Sequence, residues 1–439
     1  MRLGWEFIDA QGTFKLLHPH RSSYLYFPLV NETGMMSSVT PTLNGDAKTG
    51  QNTFLLLPAS AEDLHNSRST RNFWLRINGT QIWSATGNSA DQTARSLSPF
   101  GDEVILTAGF LWHTVERKHP SINLQAEVTN FVPVGPDRVE LMRVTLKNTG
   151  EQPLKLTPTA AIPIYGRSAD NLRDHRHVTS LLHRTSCHRK GILVRPTLSF
   201  DERGHTLNQI IYAVLGTESD GAAPVGFFAD VESFIGEGGT LDWPEAVVAN
   251  KMVTQVTGGA IEGYEALGGI RFRDIELAPG ADKSYILILG ILQDGENADA
   301  LLKRYGSSAN FEEELQKTKT FWCEKISTLL FKTNDAQFDG WLQWVTLQPT
   351  LRRLMGNSFL PYHDYGRGGR GWRDLWQDIL ALLIAEPTDV SEMLLSNFAG
   401  VRIDGSNATI IGSQPGEFKA DRNNIPRVWM DHGAWPLLT

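Results

Sequence analysis

The chain has 439 residues, 41 Lys and Arg against 49 Asp and Glu, and a formal net charge of −8, which is too long for one hydrophobic core and points to two or more domains. The charges form no long basic run, so nucleic acid and anionic membrane are excluded as expected partners, because both require a concentrated cationic surface. Two cysteines, Cys187 and Cys323, make no disulfide framework, residues 1–6 lack the apolar core of a signal peptide, and no apolar run is long enough to span a bilayer; the expected compartment is the cytoplasm.

Residues 1–293 read as short apolar or alternating runs, rich in β-branched and aromatic side chains and punctuated by turn residues, the grammar of strands. Segments 24–30, 72–77, 139–146, 270–277 and 284–290 are the clearest, and Pro279-Gly280 marks a turn between the last two. So many strands with little intervening helix predict a large β-sandwich. Segments 31–41 and 45–52, polar and glycine-bearing, read as loops that either turn the chain or reach a ligand. His175, His177, His183, Cys187 and His188 crowd together, but their spacing matches no zinc pattern and arginines intervene; surface or strand histidines are the better account, with no metal expected.

From residue 294 the pattern changes to apolar residues three and four apart with charges between them, the mark of amphipathic helices over 296–305 and 310–331. A further apolar helix begins near Phe338 and is expected to kink or end at Pro349, and helices are expected over 374–385 and 388–400. The fold class is therefore multidomain β + α: a sandwich over 1–293, a helical linker over 294–333, and the opening of an all-helical domain over 334–439. About 105 residues supply too few helices to bury their own apolar faces, so the helical domain is expected to be truncated.

The stretch from Tyr365 to Asp378 sets arginines, acids and tryptophans around glycines at the mouth of a helix. Guanidinium and carboxylate groups suit the paired hydroxyls of a sugar, and indoles suit its C–H face. Asp374 reads equally as a helix-start residue, and Arg367, Arg370 and Arg373 with Asp374 and Asp378 read alternatively as a structural ion-pair network. In the second cluster, Trp429-Met-Asp431-His-Gly433, the flanking Trp429 and Trp435 would lower the dielectric around Asp431 and raise its pKa, as a general acid requires; a helix N-cap is the other reading.

Gly371-Trp-Arg-Asp-Leu-Trp-Gln-Asp378 resembles the G-[FWY]-R-D-x-x-Q-D signature of the cellobiose phosphorylase family, family 94 of the glycoside hydrolases, and Trp429-Met-Asp431 resembles the tryptophan and catalytic aspartate of that family. The resemblance implies a β-sandwich, a helical linker and an (α/α) six-hairpin barrel, of which this chain holds the first part. It also implies inverting phosphorolysis of a β-glycosidic bond in a di- or oligosaccharide, with no cofactor and with inorganic phosphate as co-substrate. Carried over by position, Asp431 is the general acid, Arg367 and Asp374 hold the sugar and Trp429 flanks it, with Arg373 and Asp378 as further substrate-binding candidates beside them, and the resemblance implies that the protein pairs as a homodimer. The family's phosphate-binding arginine is expected near Asn357-Ser358, where there is none, leaving Arg353 as the substitute. The substrate is open, with β-1,2-linked oligoglucans one choice; an inverting hydrolase on the same scaffold and a non-catalytic sugar-binding fragment are the alternatives.

Overall fold

The computed structural model describes residues 4–22, 25–59, 67–201, 204–356, 370–411, 418–419 and 431–439. They form two compact units, Met1–Glu6 with Phe14–Lys319 and Phe7–Thr13 with Thr320–Thr439.

The first unit is a sandwich of antiparallel sheets. Among the described residues the larger sheet has eleven strands, centred on Leu124–Phe131, Val139–Asn148, Asp282–Gln293 and Ile210–Glu218. The six-stranded sheet is built on Leu154–Pro163, flanked by Asn72–Ile77 and Ala266–Arg271. Strand periodicity explains the layering. Along Asp282–Gln293, Tyr285, Leu287 and Leu289 join the core shared with Phe73, Leu75 and Ile270 of the smaller sheet. The alternate residues Ile286 and Ile288 face outward, where α1 (Ala298–Tyr305) and the start of α2 (Ser308–Ile326) cover them with Leu301, Leu302, Tyr305, Phe311 and Leu315. Burial on both faces is why this strand reads as an unbroken apolar run rather than an alternation. The Pro279-Gly280 turn, with Gly280 at φ 73°, carries the chain between the sheets rather than closing a hairpin, since Ile275–Leu277 pairs with Leu154–Leu156.

Segments 31–41 and 45–52, expected as loops, instead contribute Met36–Val39 and Ala47–Gly50 to a four-stranded sheet with Phe27–Val30 and Thr53–Phe54. Their small polar residues misled the reading because Ser37, Ser38 and Lys48 are buried here. A β-carbon added at Gly45, which has φ 113°, would lie 1.8 Å from the Ser38 carbonyl oxygen, so only glycine permits that approach.

Next to Gly45 lies a dry polar cluster. Arg71 and Glu140, both with fully buried side chains, pair through two bonds of 2.6 and 2.7 Å. Arg71 also donates to the carbonyls of Gly45 and Asp46, and Asn130 donates to Glu140 at 2.9 Å. His113 stacks on Phe27 with ring centroids 5.3 Å apart and makes no hydrogen bond among the described residues. Burial, with the Arg71 charge adding to it, pushes the imidazole down to about 3.

The second unit is helical. Among the described residues it contains the end of α2, α3 (Ala336–Met355), α4 (Trp372–Ala385), α5 (Val390–Phe398) and α6 (Ala434–Leu438). Helix α3 does not end at Pro349, which sits inside it, and α2 ends at Ile326 rather than continuing to 331. Segment Phe7–Thr13, placed by sequence in the sandwich, belongs with this unit because α3 reads its backbone. Gln337 bonds Phe7 N at 2.9 Å and Phe7 O at 3.2 Å, Gln343 donates to Ala10 O, and Trp344 donates its indole N–H to Gly12 O at 2.8 Å. The core of the unit is Trp372, Leu375, Trp376, Ile379 and Leu382 of α4 with Val390 and Ile411. Among the described residues no helix is long and apolar enough to cross a membrane.

Two outcomes test this account. Replacing Glu140 by Leu strands the Arg71 charge and lowers unfolding free energy by about 3–5 kcal/mol, whereas Arg71→Met with Glu140→Leu recovers most of it; chemical denaturation measures both. His113 stays neutral in the folded chain where the unfolded chain binds a proton. Its contribution is therefore fully present above pH ~6.5 and is lost as pH falls towards 3, at about 1.4 kcal/mol per pH unit. His113→Phe flattens that part of the stability profile.

Candidate functional site

The site is built at the start of α4. Gly371 occupies the N-cap position without a side-chain cap, and Trp372, Arg373 and Asp374 form the first turn, where backbone N–H groups and the helix dipole favour negative charge. Trp372 points inward and is buried, and its indole N–H donates to the His432 carbonyl at 3.0 Å. That bond fixes the backbone beside Asp431. The Asn407 amide lies 3.1 Å from His432 Nδ1, and Asp431 O accepts from the backbone N–H groups of Ala434 and Trp435. Residues 431 and 432 are held from three directions.

Arg373 Nη1 donates to Asp431 Oδ2 at 3.2 Å, with the two side chains 48% and 40% exposed. The Trp435 indole N–H donates to the same oxygen at 3.3 Å. The Arg373 hydrogen bond, reinforced by the indole, holds the Asp431 carboxyl below the ordinary carboxylate range. Sequence predicted the opposite. The flanking indole was expected to desolvate the acid and raise its pKa; in the structure Trp435 contributes a donor instead, and a cation sits on the carboxylate. The N-cap alternative also fails, because Gly433 is the residue before α6 and the Asp431 side chain makes no capping bond. Asp374 is half-buried. It and Arg373 both act electrostatically on His432, whose imidazole burial holds below its usual range.

Asp378 is one turn further along α4, but Arg352 of α3 grips both its oxygens at 2.5 to 2.9 Å. It is a buried strut between two helices, the ion-pair reading of that residue. Arg353 likewise turns to Glu386 at 3.1 Å, which also receives Lys325 at 2.6 Å, so it is committed within the helical unit. Arg367 and Trp429 lie outside the described residues. The structure thus brings Arg373 to Asp431, sets Asp374 within electrostatic reach of the adjoining His432, and gives Asp378 and Arg353 structural tasks. Sequence reasoning missed His432 and Asn407 as the fixings of the acid; only the His432 imidazole next to Asp431 gave any sign of them. Of the histidine group, His188 lies on the strand Arg184–His188 at 3.4 Å from Asp299, His183 is buried, and the His175 and His177 rings are 5.3 Å apart. Among the described residues no three His, Cys, Asp or Glu side chains converge as metal ligands.

The family model "Glycosyl hydrolase 94, supersandwich domain" matches residues 46–308. The chain belongs to the glycoside hydrolase 94 family. Members of that family are carbohydrate-active enzymes. The chain is 24% identical over 269 residues to the cyclic beta-(1,2)-glucan synthase NdvB of Rhizobium meliloti (strain 1021), a match covering 61% of this chain and 9% of that protein. Among solved structures, a bacterial glucoamylase complexed with acarbose matches 99% of this chain and 55% of its own, with 11% identity and a TM-score of 0.49. An aldose epimerase homologue from C. elegans matches 62% of this chain and 99% of its own, with 13% identity and a TM-score of 0.31.

The two acids of α4 are expected to behave in opposite ways. Asp378→Asn weakens the Arg352 pair and lowers thermal stability, by about 1–3 kcal/mol for a buried charge partner lost. Asp374→Asn leaves the melting temperature of this family 94 protein near its starting value, since no ion pair among the described residues is given up; differential scanning calorimetry compares the two variants.

Proposed function

We propose that this protein acts as an inverting glycoside phosphorylase on a β-linked di- or oligosaccharide, with inorganic phosphate as co-substrate and Asp431 as the general acid. The observation that carries the reading is the Arg373–Asp431 pair at the start of α4, with Asp374 acting electrostatically on the adjoining His432, in a chain of the glycoside hydrolase 94 family. Inversion by phosphate needs one carboxyl group for proton work. Phosphate oxygen bonds to the anomeric carbon, the glycosidic C–O bond breaks, and the Asp431 proton goes to the departing oxygen, giving a sugar 1-phosphate. Asp374, open and next to Arg373, accepts hydrogen bonds from sugar hydroxyls. Glucose in β-1,2 linkage is the substrate put forward, because the relative named above is a cyclic beta-(1,2)-glucan synthase. Arg353 is not proposed for phosphate, since Glu386 holds it. Pairing of two copies and a cytoplasmic setting belong to the same reading.

One observation favours a second reading. Hydrolysis with inversion needs a carboxylate base to activate water across the ring from the acid, and Asp374, half-buried in the first turn of α4, is a second carboxylate at the site. The separating experiment supplies β-1,2-gluco-oligosaccharides with and without phosphate and follows products by 31P and 1H NMR. Glucose 1-phosphate formed only with phosphate, and reduced at least about 100-fold by Asp431→Asn, is the expected result. Free glucose without phosphate establishes the hydrolase, and calorimetric binding without turnover leaves a sugar-binding protein.

A further inference from the structure

In the reading above Asp431 must hand a proton to the glycosidic oxygen, which requires that oxygen within hydrogen-bond reach of the carboxyl. That carboxyl must also carry a proton to give. Oδ2 receives Arg373 Nη1 at 3.2 Å and Trp435 Nε1 at 3.3 Å, and a guanidinium so placed favours the anion. The cation has to leave before the carboxyl can act as a donor, and the packing leaves it free to do so. Asp431 is fixed through its own carbonyl, through the Trp372 bond to His432 O and through the Asn407 contact with His432 Nδ1. Trp435 is half-buried and packs against the core of α4. Arg373 is half exposed, on a long flexible stem, with Asp431 its one hydrogen-bond partner among the described residues. An ion pair this exposed contributes little and exchanges readily.

We infer that Arg373 is a substrate-released latch on Asp431: its guanidinium sits on the carboxylate in the empty protein and transfers to sugar hydroxyls when a glycoside enters. The inference rests on Asp431 as the acid and deepens that role.

The latch gives the acid two states. Paired, Asp431 is ionised and cannot donate. Released and covered by the sugar, it keeps a neutral indole donor but loses the cation and part of its water, both of which favour uptake of a proton from solvent. After that proton has passed to the departing oxygen, the carboxylate is negative again and Arg373 returns to it. The charged groups acting on this position from the packed elements are Arg373 and Asp374 on α4 and His432 on the acid's own segment. His432 is buried and held below its usual range, so Arg373 is the cation that decides the state. Arg373 is thus a positioning residue that acts through Asp431.

The test follows the Asp431 carboxyl by 13C NMR in the whole protein, titrated alone, with inorganic phosphate, and with sophorose or a longer β-1,2-gluco-oligosaccharide, while calorimetry records binding. The expected result is a titration midpoint below the ordinary aspartate value in the empty protein, unchanged by phosphate and raised to or above that value by the oligosaccharide. Arg373→Gln raises the midpoint in the empty protein and abolishes the response to sugar; Arg373→Lys restores part of the low midpoint. Oligosaccharide that binds without moving the midpoint overturns the latch and leaves Asp431 available as the acid. A shift caused by phosphate alone overturns release by sugar. Absence of any oligosaccharide binding overturns both the latch and the function it rests on. An Arg373→Gln midpoint equal to that of the unaltered protein, with an unchanged amide spectrum, shows that Arg373 is not what holds Asp431.

Discussion

The hydrogen bond from the Trp372 indole to the His432 carbonyl joins stretches sixty residues apart, and the candidate site depends on it. A buried indole N–H must find a partner, because leaving it unpaired costs about 1–3 kcal/mol. The Trp372 ring is held edge-on to Trp376 with centroids 5.4 Å apart, inside the apolar core of the helical unit. Its N–H direction is therefore set by packing, and the carbonyl that answers it belongs to the residue after Asp431. Position of the acid is a consequence of how α4 buries its apolar face.

Ion pairs serve two different ends in this molecule, and exposure separates them. Arg71 and Glu140 are dry on both sides, with each guanidinium and carboxylate group further bonded to backbone or amide partners. Such a pair cannot open without stranding a charge in the sandwich core, so it fixes geometry. Arg352 and Asp378 are an intermediate case, the acid buried and the arginine partly wet. Arg373 and Asp431 are both half exposed, and water or a ligand hydroxyl can replace either partner at small cost. The same chemical pair is a rivet in the sandwich and an exchangeable contact at the helix start.

How much of this was legible in sequence follows from which forces are local. Strands such as Asn72–Ile77, which falls where alternation put it, and the helices α1 and α4 announce themselves through periodicity, a property of neighbouring residues. The small sheet holding Met36–Val39 was not legible, because its serines are polar by composition and buried only by what packs on them. The transfer of Phe7–Thr13 to the helical unit was hidden for a similar reason: it depends on side chains of α3 more than 300 residues away reading bare backbone. At the candidate site, residue types drew attention to residues 371–378 and 431–435, which the Trp372–His432 and Arg373–Asp431 bonds join. They did not reveal that Arg352 would claim Asp378, or that Arg373 would turn to Asp431, since pairing among several acids and arginines is decided in three dimensions.

The inversion of the expected pKa shift at Asp431 carries the most chemical meaning. Two tryptophans around an acid suggest a dry pocket and a carboxyl that keeps its proton. The structure offers a half-wet carboxylate with an indole N–H and a guanidinium both directed at one oxygen, an arrangement that favours the anion. In the proposed role of general acid, a carboxyl in that state is not yet active. The sequence expectation and the structure agree only if the low-dielectric environment is completed by the substrate, whose apolar ring face covers the indole side while its hydroxyls attract the guanidinium. On the function proposed above, proton donation is then conditional on occupancy, and a carboxyl that would otherwise hold its proton idle in water acquires it where a glycosidic oxygen is present to take it.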